Sequence, residues 1–408
     1  MPNISRRAEA TPESPIRRLA PYADAAKARG TQVYHLNIGQ PDVEAPKEFW
    51  DSIKGIKDPI VAYTNSAGNI GLRQAAVEHY KEKGIDITVD QIFVTTAGSE
   101  AIIFAMLACL NEGDEVIVPE PMYANYIGFA AIAGIKCVPI TTKIEDNYAL
   151  PSVAEFAKRI TPKTKAILIC NPNNPTGTVY GRGQLEGLRE LALKHDLFIF
   201  ADEVYHEFNY TGVPVPSVLN LQGLESNVVA IDSVSKKFSL CGARVGFFMC
   251  RNPEVFHSAV KFAQARLSPP AIEQVGVEAA LRHTPRAYFE SMKSEYMDRR
   301  DLLVRKLRQL NGVVVPEVNG AFYAMVRLPI DDCDRFCKWL LEEFSFEGKT
   351  VMLAPGTGFY ETDGLGKDEV RIAYVYRCEE LAKALDVLAQ GLSVYPGRTC
   401  EQALPLHN

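Results

Sequence analysis

At 408 residues, 47% hydrophobic and 23% charged, the chain can fill one large domain and a smaller one, and it lacks the low hydrophobicity of a disordered protein. A formal net charge of -6 excludes a general attraction to nucleic acid or to an anionic membrane surface, so any bound anion is met by a local site. No apolar run reaches bilayer length, the opening residues lack the apolar stretch of a signal peptide, and the nine cysteines lie mostly in apolar runs, so a cytoplasmic protein with buried, reduced thiols is expected.

In chain order, a helix over residues 15–29, closed by Gly30, comes first. From residue 91, β-rich runs at 91–97, 115–120, 136–140, 165–171, 198–205, 227–233 and 244–250 alternate with helical stretches at 99–110, 122–133, 152–160 and 183–194. That alternation predicts an α/β fold, a mostly parallel sheet flanked by helices, with ligands beyond the carboxyl ends of the strands. After residue 251 come long helices at 252–266, 271–282 and 286–310, then strands at 321–327, 350–354 and 369–375, which predict a second, smaller α+β domain. Cys333 and Cys337 share a helix face there, but no paired Cys or His ligands accompany them, so no metal site is expected. The residues from Pro396 to Asn408 read as a loose tail.

Four segments concentrate the chemistry. VTTAGSEAIIFAMLA passes from strand to helix through Ala97-Gly98-Ser99, where backbone N–H groups at a helix start form an anion site, although a routine N-cap by Ser99 accounts for the same residues. CNPNNPTG, at 170–177, is an Asn/Pro turn after an apolar strand. FIFADEVYHEF sets Asp202 at a strand end, where a carboxylate is costly to bury unpaired; a plain turn residue is the alternative. IDSVSKKFSLCGARVGFF, at 231–248, ends a strand at Ser233 and delivers two hydroxyls, Lys236, Lys237 and, after a Gly-containing turn, Arg244. These are anion donors beside an amine, unless the lysines are solvated and the arginine makes an ordinary ion pair.

Ser233-x-Ser235-Lys236 with Arg244 eight residues on, together with the Asn-Pro turn, resembles the cofactor motif of the class I and II aminotransferases, fold-type-I pyridoxal phosphate enzymes. The resemblance covers nearly the whole chain and implies pyridoxal 5'-phosphate held as a Schiff base on Lys236, a lysine because only a primary amine forms an imine that an incoming amino acid can displace. It further implies that Gly98, Ser99, Ser233, Ser235 and Arg244 hold the phosphate, that Asp202 pairs with the pyridine nitrogen, and that Tyr205 and Asn174 contact the phenolic oxygen. Tyr123 matches the aromatic stacked on the ring, Arg371 the arginine that grips the substrate α-carboxylate, with Asn174 and the Gly39 backbone beside it. Tyr63 matches a tyrosine reaching the neighbouring subunit's phosphate, so the resemblance implies a homodimer with composite sites.

The implied reaction moves an amino group between an L-amino acid and a 2-oxo acid such as 2-oxoglutarate, with aspartate and alanine ranked jointly as donors; β-elimination on the same cofactor is the alternative. Neither acidic-side-chain clamp of the family is displayed: the phosphate-binding turn has no lysine, and Ala263 stands where one subgroup has an arginine, leaving Arg266 nearby or an N-terminal residue for that role. The expected division is an N-terminal segment, 1–45, packing with the small domain, a large cofactor-binding domain, 46–300, and a small C-terminal domain, 301–408.

Overall fold

Alternating β-rich and helical runs between residues 92 and 250 build a seven-stranded sheet covered on both faces. The structure, a computed structural model, describes residues 2–400. In chain order its strands are β1 (Gln32–His35), β2 (Ile92–Thr96), β3 (Glu115–Glu120), β4 (Lys136–Thr141), β5 (Thr164–Cys170), β6 (Phe198–Asp202), β7 (Val228–Ser233), β8 (Val245–Cys250), β9 (Tyr323–Arg327), β10 (Lys349–Met352), β11 (Ala354–Pro355) and β12 (Glu369–Ala373). The large sheet has the order β2-β8-β7-β6-β5-β3-β4, and only β8 runs against the rest.

Strands buried on both faces need apolar residues at successive positions, and Val228–Ser233 and Val245–Cys250 are buried throughout. Successive side chains enter opposite layers. Phe93 stacks on Phe248 at 4.8 Å in one layer, against the helix Ala97–Cys109, while Val94 and Phe247 join the other, beneath the helix Ile70–Glu82.

A smaller antiparallel sheet, β11-β12-β9, follows the 23-residue helix Arg286–Arg308. The N-terminal segment enters this part of the molecule: β1 pairs in parallel with β10, and the helix Ala20–Ala28 packs on the helix Cys333–Glu342. That N-terminal helix is shorter than residues 15–29. Turns occupy 15–19, and Pro21, which lacks an N–H, sits in its first turn; Gly30, at φ +85°, follows its end as expected. The stretch at 122–133 likewise becomes helical only at Asn125.

The loose tail is a correction in part. Gly397 O accepts from Asp331 N at 2.9 Å, and Thr399 N donates to Pro329 O at 3.0 Å, so this part of the tail is held against the segment 329–331 that follows β9; residues 401–408 lie outside the described part. Among the described residues no helix is long and apolar enough to cross a membrane, and no cluster of metal-ligating side chains occurs. All nine cysteines are unpaired, five of them buried.

Candidate active site

The strand order concentrates the motif residues. β2, β3, β5, β6 and β7 all end at one edge of the large sheet, and β8, running oppositely, begins there. Ala97–Ser99, Asn174, Asp202, Ser233–Lys236 and Arg244 therefore meet, although nearly 150 residues separate the first from the last. They line a cavity of about 410 Å³, closed on its other side by Gly39, Tyr323 and Arg371.

At one end is an anion cradle. Because β2 pairs with β8, Ala97 N donates to Arg244 O at 3.1 Å, which puts the N-terminus of the helix Ala97–Cys109 beside the arginine. Gly246 makes this approach possible: a Cβ there would lie 2.4 Å from the carbonyl carbon of Ala97 and 2.7 Å from Gly98 N. Ser233, opposite Gly246 in the ladder, donates to Val245 O at 3.0 Å and lies 2.8 Å from Ser235 Oγ. The Arg244 guanidinium donates to Cys241 O at 2.9 Å and, among the described residues, has no carboxylate partner. Helix N–H groups, two hydroxyls and an uncompensated arginine make a site for a phosphate-like dianion.

Next to the cradle stands the amine. Lys236 Nζ points into the cavity and donates to Gly39 O at 2.9 Å, whereas Lys237 turns behind the sheet, 2% exposed and ion-paired with Asp232. Two lysines adjacent in sequence thus have opposite fates, and only Lys236 can meet a ligand.

Asp202, at the end of β6, is 5% exposed and, among the described residues, has no cationic partner. Its carboxylate accepts from Tyr126 OH at 2.8 Å, and burial pushes it up to about 6. Tyr123 lies three residues before Tyr126, ahead of the helix start, and their rings meet edge to face at 5.3 Å. Asn174 links two functions: its amide nitrogen donates to Tyr205 OH at 3.4 Å, and its carbonyl oxygen accepts from Arg371 at 3.0 Å.

Arg371, on β12, is 2% exposed and has no carboxylate within ion-pair distance among the described residues. It donates to Asn37 O at 2.6 Å, lies over the rings of Tyr323 and Phe359 at 4.4 and 4.9 Å, and leaves Nε without a hydrogen bond. Burial works against its charge. An arginine held this way is poised for a carboxylate from outside the chain.

All the expected site residues except Tyr63 line this cavity; Tyr63 is 81% exposed and away from its own chain's pocket. Arg266 is withdrawn as a substrate clamp, because it pairs with Glu100 at 3.2 Å and donates to the Ser66 and Val94 carbonyls outside the cavity; Ala263 is core. The motifs do not single out Tyr126, which is signalled only by its i,i+3 relation to Tyr123, or Tyr323, whose OH lies 3.1 Å from Tyr205 OH and would be 1.6 Å from a Cβ on Gly39. They also leave out Arg17, on the cavity's outer wall.

The model of the family described as aminotransferase class I and II matches residues 31–388. An aspartate aminotransferase of Thermotoga maritima is 34% identical over 390 residues, covering 94% of this chain and 97% of its own. An aromatic-amino-acid aminotransferase of Thermococcus litoralis is 33% identical over 389 residues, 94% of this chain and 96% of its own. A mutant Thermus thermophilus aspartate aminotransferase superposes with a TM-score of 0.88 at 30% identity, covering 96% of this chain and 100% of its own. An anion cradle, a free amine, an unpaired buried carboxylate and an unpaired buried arginine around one cavity agree with that match, and the chain belongs to the class I and II aminotransferases, enzymes that exchange amino groups between amino acids and 2-oxo acids.

Proposed function

We propose that this chain binds pyridoxal 5'-phosphate through Lys236 and transaminates between an L-amino acid, with aspartate ahead of alanine, and a 2-oxo acid such as 2-oxoglutarate. The observation that carries the reading is the buried, carboxylate-free Arg371 facing Lys236 across one cavity, a counter-ion waiting for an α-carboxylate. The residues present fit the cofactor: Gly98, Ser99, Ser233, Ser235 and Arg244 would hold its phosphate, Tyr123 its ring face, Asn174 and Tyr205 its phenolic oxygen, and Asp202 its ring nitrogen.

When bound, pyridoxal phosphate supplies an electron sink for the negative charge left as the α-proton departs. Asp202 would hold the proton on the ring nitrogen of the bound cofactor, its carboxylate fixed by the Tyr126 hydroxyl. Arg371 and Asn174 bind and orient the α-carboxylate. The Lys236 amine would take the α-proton and deliver it to the cofactor carbon two atoms away, across the imine nitrogen, a general acid–base role. Arg17 is the one Arg or Lys lining the cavity that is left without an assignment, and no ion-pair partner occurs among the described residues, which supports a second carboxylate on the donor.

The same reading includes a homodimer, supported by Ile60, Val61 and Tyr63 standing exposed together, a cytoplasmic location, and the division at 1–45, 46–300 and 301–408, with the helix Arg286–Arg308 as connector. The test is to load the protein with pyridoxal phosphate, reduce with borohydride and map the pyridoxyl peptide, then follow amino-acid donors with 2-oxoglutarate. An adduct on Lys236 and glutamate formation are expected. An adduct elsewhere removes the site assignment, and pyruvate plus ammonia in place of glutamate identifies an eliminating enzyme.

A further inference from the structure

Behind the site, on the far side of β7, lies a buried ionic cluster with no part in the chemistry above. Asp232 is 3% exposed, and three donors converge on it: Lys237 Nζ and Tyr80 OH, the latter at 2.6 Å, on one oxygen, and the Ser233 backbone N–H at 2.6 Å on the other. Lys237 Nζ also lies over the Tyr80 ring, 5.5 Å from its centroid. Around the pair stand Glu203, which accepts from Ser217 Oγ and Val218 N, and the side chains of Lys83, Glu207, His79 and His206.

Such a pair needs a reason. A buried ion pair is weak evidence for stability, since matched apolar residues often serve as well or better. Its connectivity supplies one. The carboxylate grips the backbone of residue 233 and the side chain of residue 237, the two ends of the turn that carries Lys236. That turn is the four-residue helix Val234–Lys237, too short to hold its own shape. On its cavity side the serines 233 and 235 and the amine of Lys236 have only a few polar contacts: among the described residues Lys236 donates to Gly39 O at 2.9 Å and otherwise only reaches Cys241 Sγ at 3.9 Å.

We infer that Lys237 is a positioning residue: its buried pair with Asp232 locks the one-turn helix from behind and so sets where the Lys236 amine and the serine hydroxyls stand. The inference rests on Lys236 being the cofactor lysine. It explains why the second of two neighbouring lysines is sequestered, although a charge at that depth is costly.

The test uses Lys237→Met, which keeps most of the apolar stem of the side chain and removes its donor, Asp232→Asn with Lys237→Met, which removes both charges in case the single change leaves Asp232 bare and the chain unfolded, and Asp232→Asn with Lys237→Gln, which restores a neutral hydrogen-bonded tether. In cofactor-free protein, acylation of each lysine is followed by mass spectrometry against pH; in loaded protein, the pH titration of the cofactor's absorbance and the kcat and KM for one donor are measured. Loosening the turn should make Lys236 acylate several-fold faster, displace the absorbance titration and lower kcat by about 10- to 100-fold with KM little changed, the scale expected for a misplacement of about 1 Å. The neutral tether should recover most of each change. A folded double variant with wild-type Lys236 acylation, absorbance titration and kcat would overturn the inference, as would a variant that lost only thermal stability. A wild-type adduct on a lysine other than Lys236 would instead remove the reading on which it rests.

Discussion

Residue by residue, the cavity gathers charged groups without an opposite charge among the described residues, and each has a measurable consequence. Burial raises Asp202 from an ordinary 3.8 to about 6 in the cofactor-free protein. Between those values the folded state retains a proton that the unfolded state has released, so this group's contribution to stability falls as pH rises through that window and is level above it. Asp202→Asn cannot titrate, and in thermal melts of the two cofactor-free proteins the wild type should therefore lose stability relative to the variant as pH rises across that window, with a constant offset above it. The same variant should retain cofactor yet transaminate about 10²-fold or more slowly, because an amide does not hold the ring proton by charge; near-wild-type turnover would make Asp202 a turn residue. Arg371→Leu should lower kcat/KM for every donor by roughly 10²-fold, about 3 kcal/mol, with Lys at this position recovering only part, since an ammonium cannot make the two-pronged contact. Arg17→Ala should weaken aspartate and leave alanine unchanged; an equal loss for both donors would remove Arg17 from the side-chain subsite.

At the scale of elements, the pairing of β2 with β8 is what turns two remote motifs into one anion cradle. Its tightest point is Gly246 under Ala97 and Gly98. Gly246→Ala must push the Ala97–Ser99 turn off the sheet, an overpacking cost of about 1–3 kcal/mol, and should weaken phosphate and cofactor binding in equilibrium titrations more than it changes kcat at saturation. The seven large-sheet strands expected from β-rich runs all form, within a residue or two at most ends, because all but the half-buried edge strand β4 are buried at most positions and their composition carries the signal. The helix Ile70–Glu82 and the strand Gln32–His35 go unpredicted for the opposite reason. The helix has a weak amphipathic pattern, and the strand is four residues long and exists through its pairing with β10, more than 300 residues away. The helix expected from residue 15 starts late because its spacing suits a helix while Pro21 and the turns before it do not.

For the whole molecule, Tyr63 faces outward at 81% exposure, beside other exposed apolar side chains, and the composite-site reading makes a specific demand. Mixing Lys236→Ala chains with Tyr63→Phe chains after mild dissociation creates hybrid dimers in which one site has Lys236 from one chain and an intact Tyr63 from the other. Activity above that of both parents is expected. Activity at their average, or an active monomer on sedimentation, would end the shared-site model.

The sequence by itself determined the fold class and most of the chemical inventory, because the motifs sit where strands turn into helices and there residue type follows from backbone geometry and ligand chemistry together. Lys236, Asp202, Asn174 and Arg244 stand in or beside such motifs, whereas Arg371, inside a strand, was named by the family resemblance alone. Only the tertiary structure decided that Lys237 is buried against Asp232, that Arg266 is consumed by Glu100, and that Tyr126, Tyr323 and Arg17 belong to the site. Those facts depend on which strands neighbour each other and on which charges find partners across the fold. A local pattern holds no record of either, since the partners of Lys237, Arg266 and Tyr126 lie 5, 166 and 76 residues away in the chain and are chosen by packing, not by spacing.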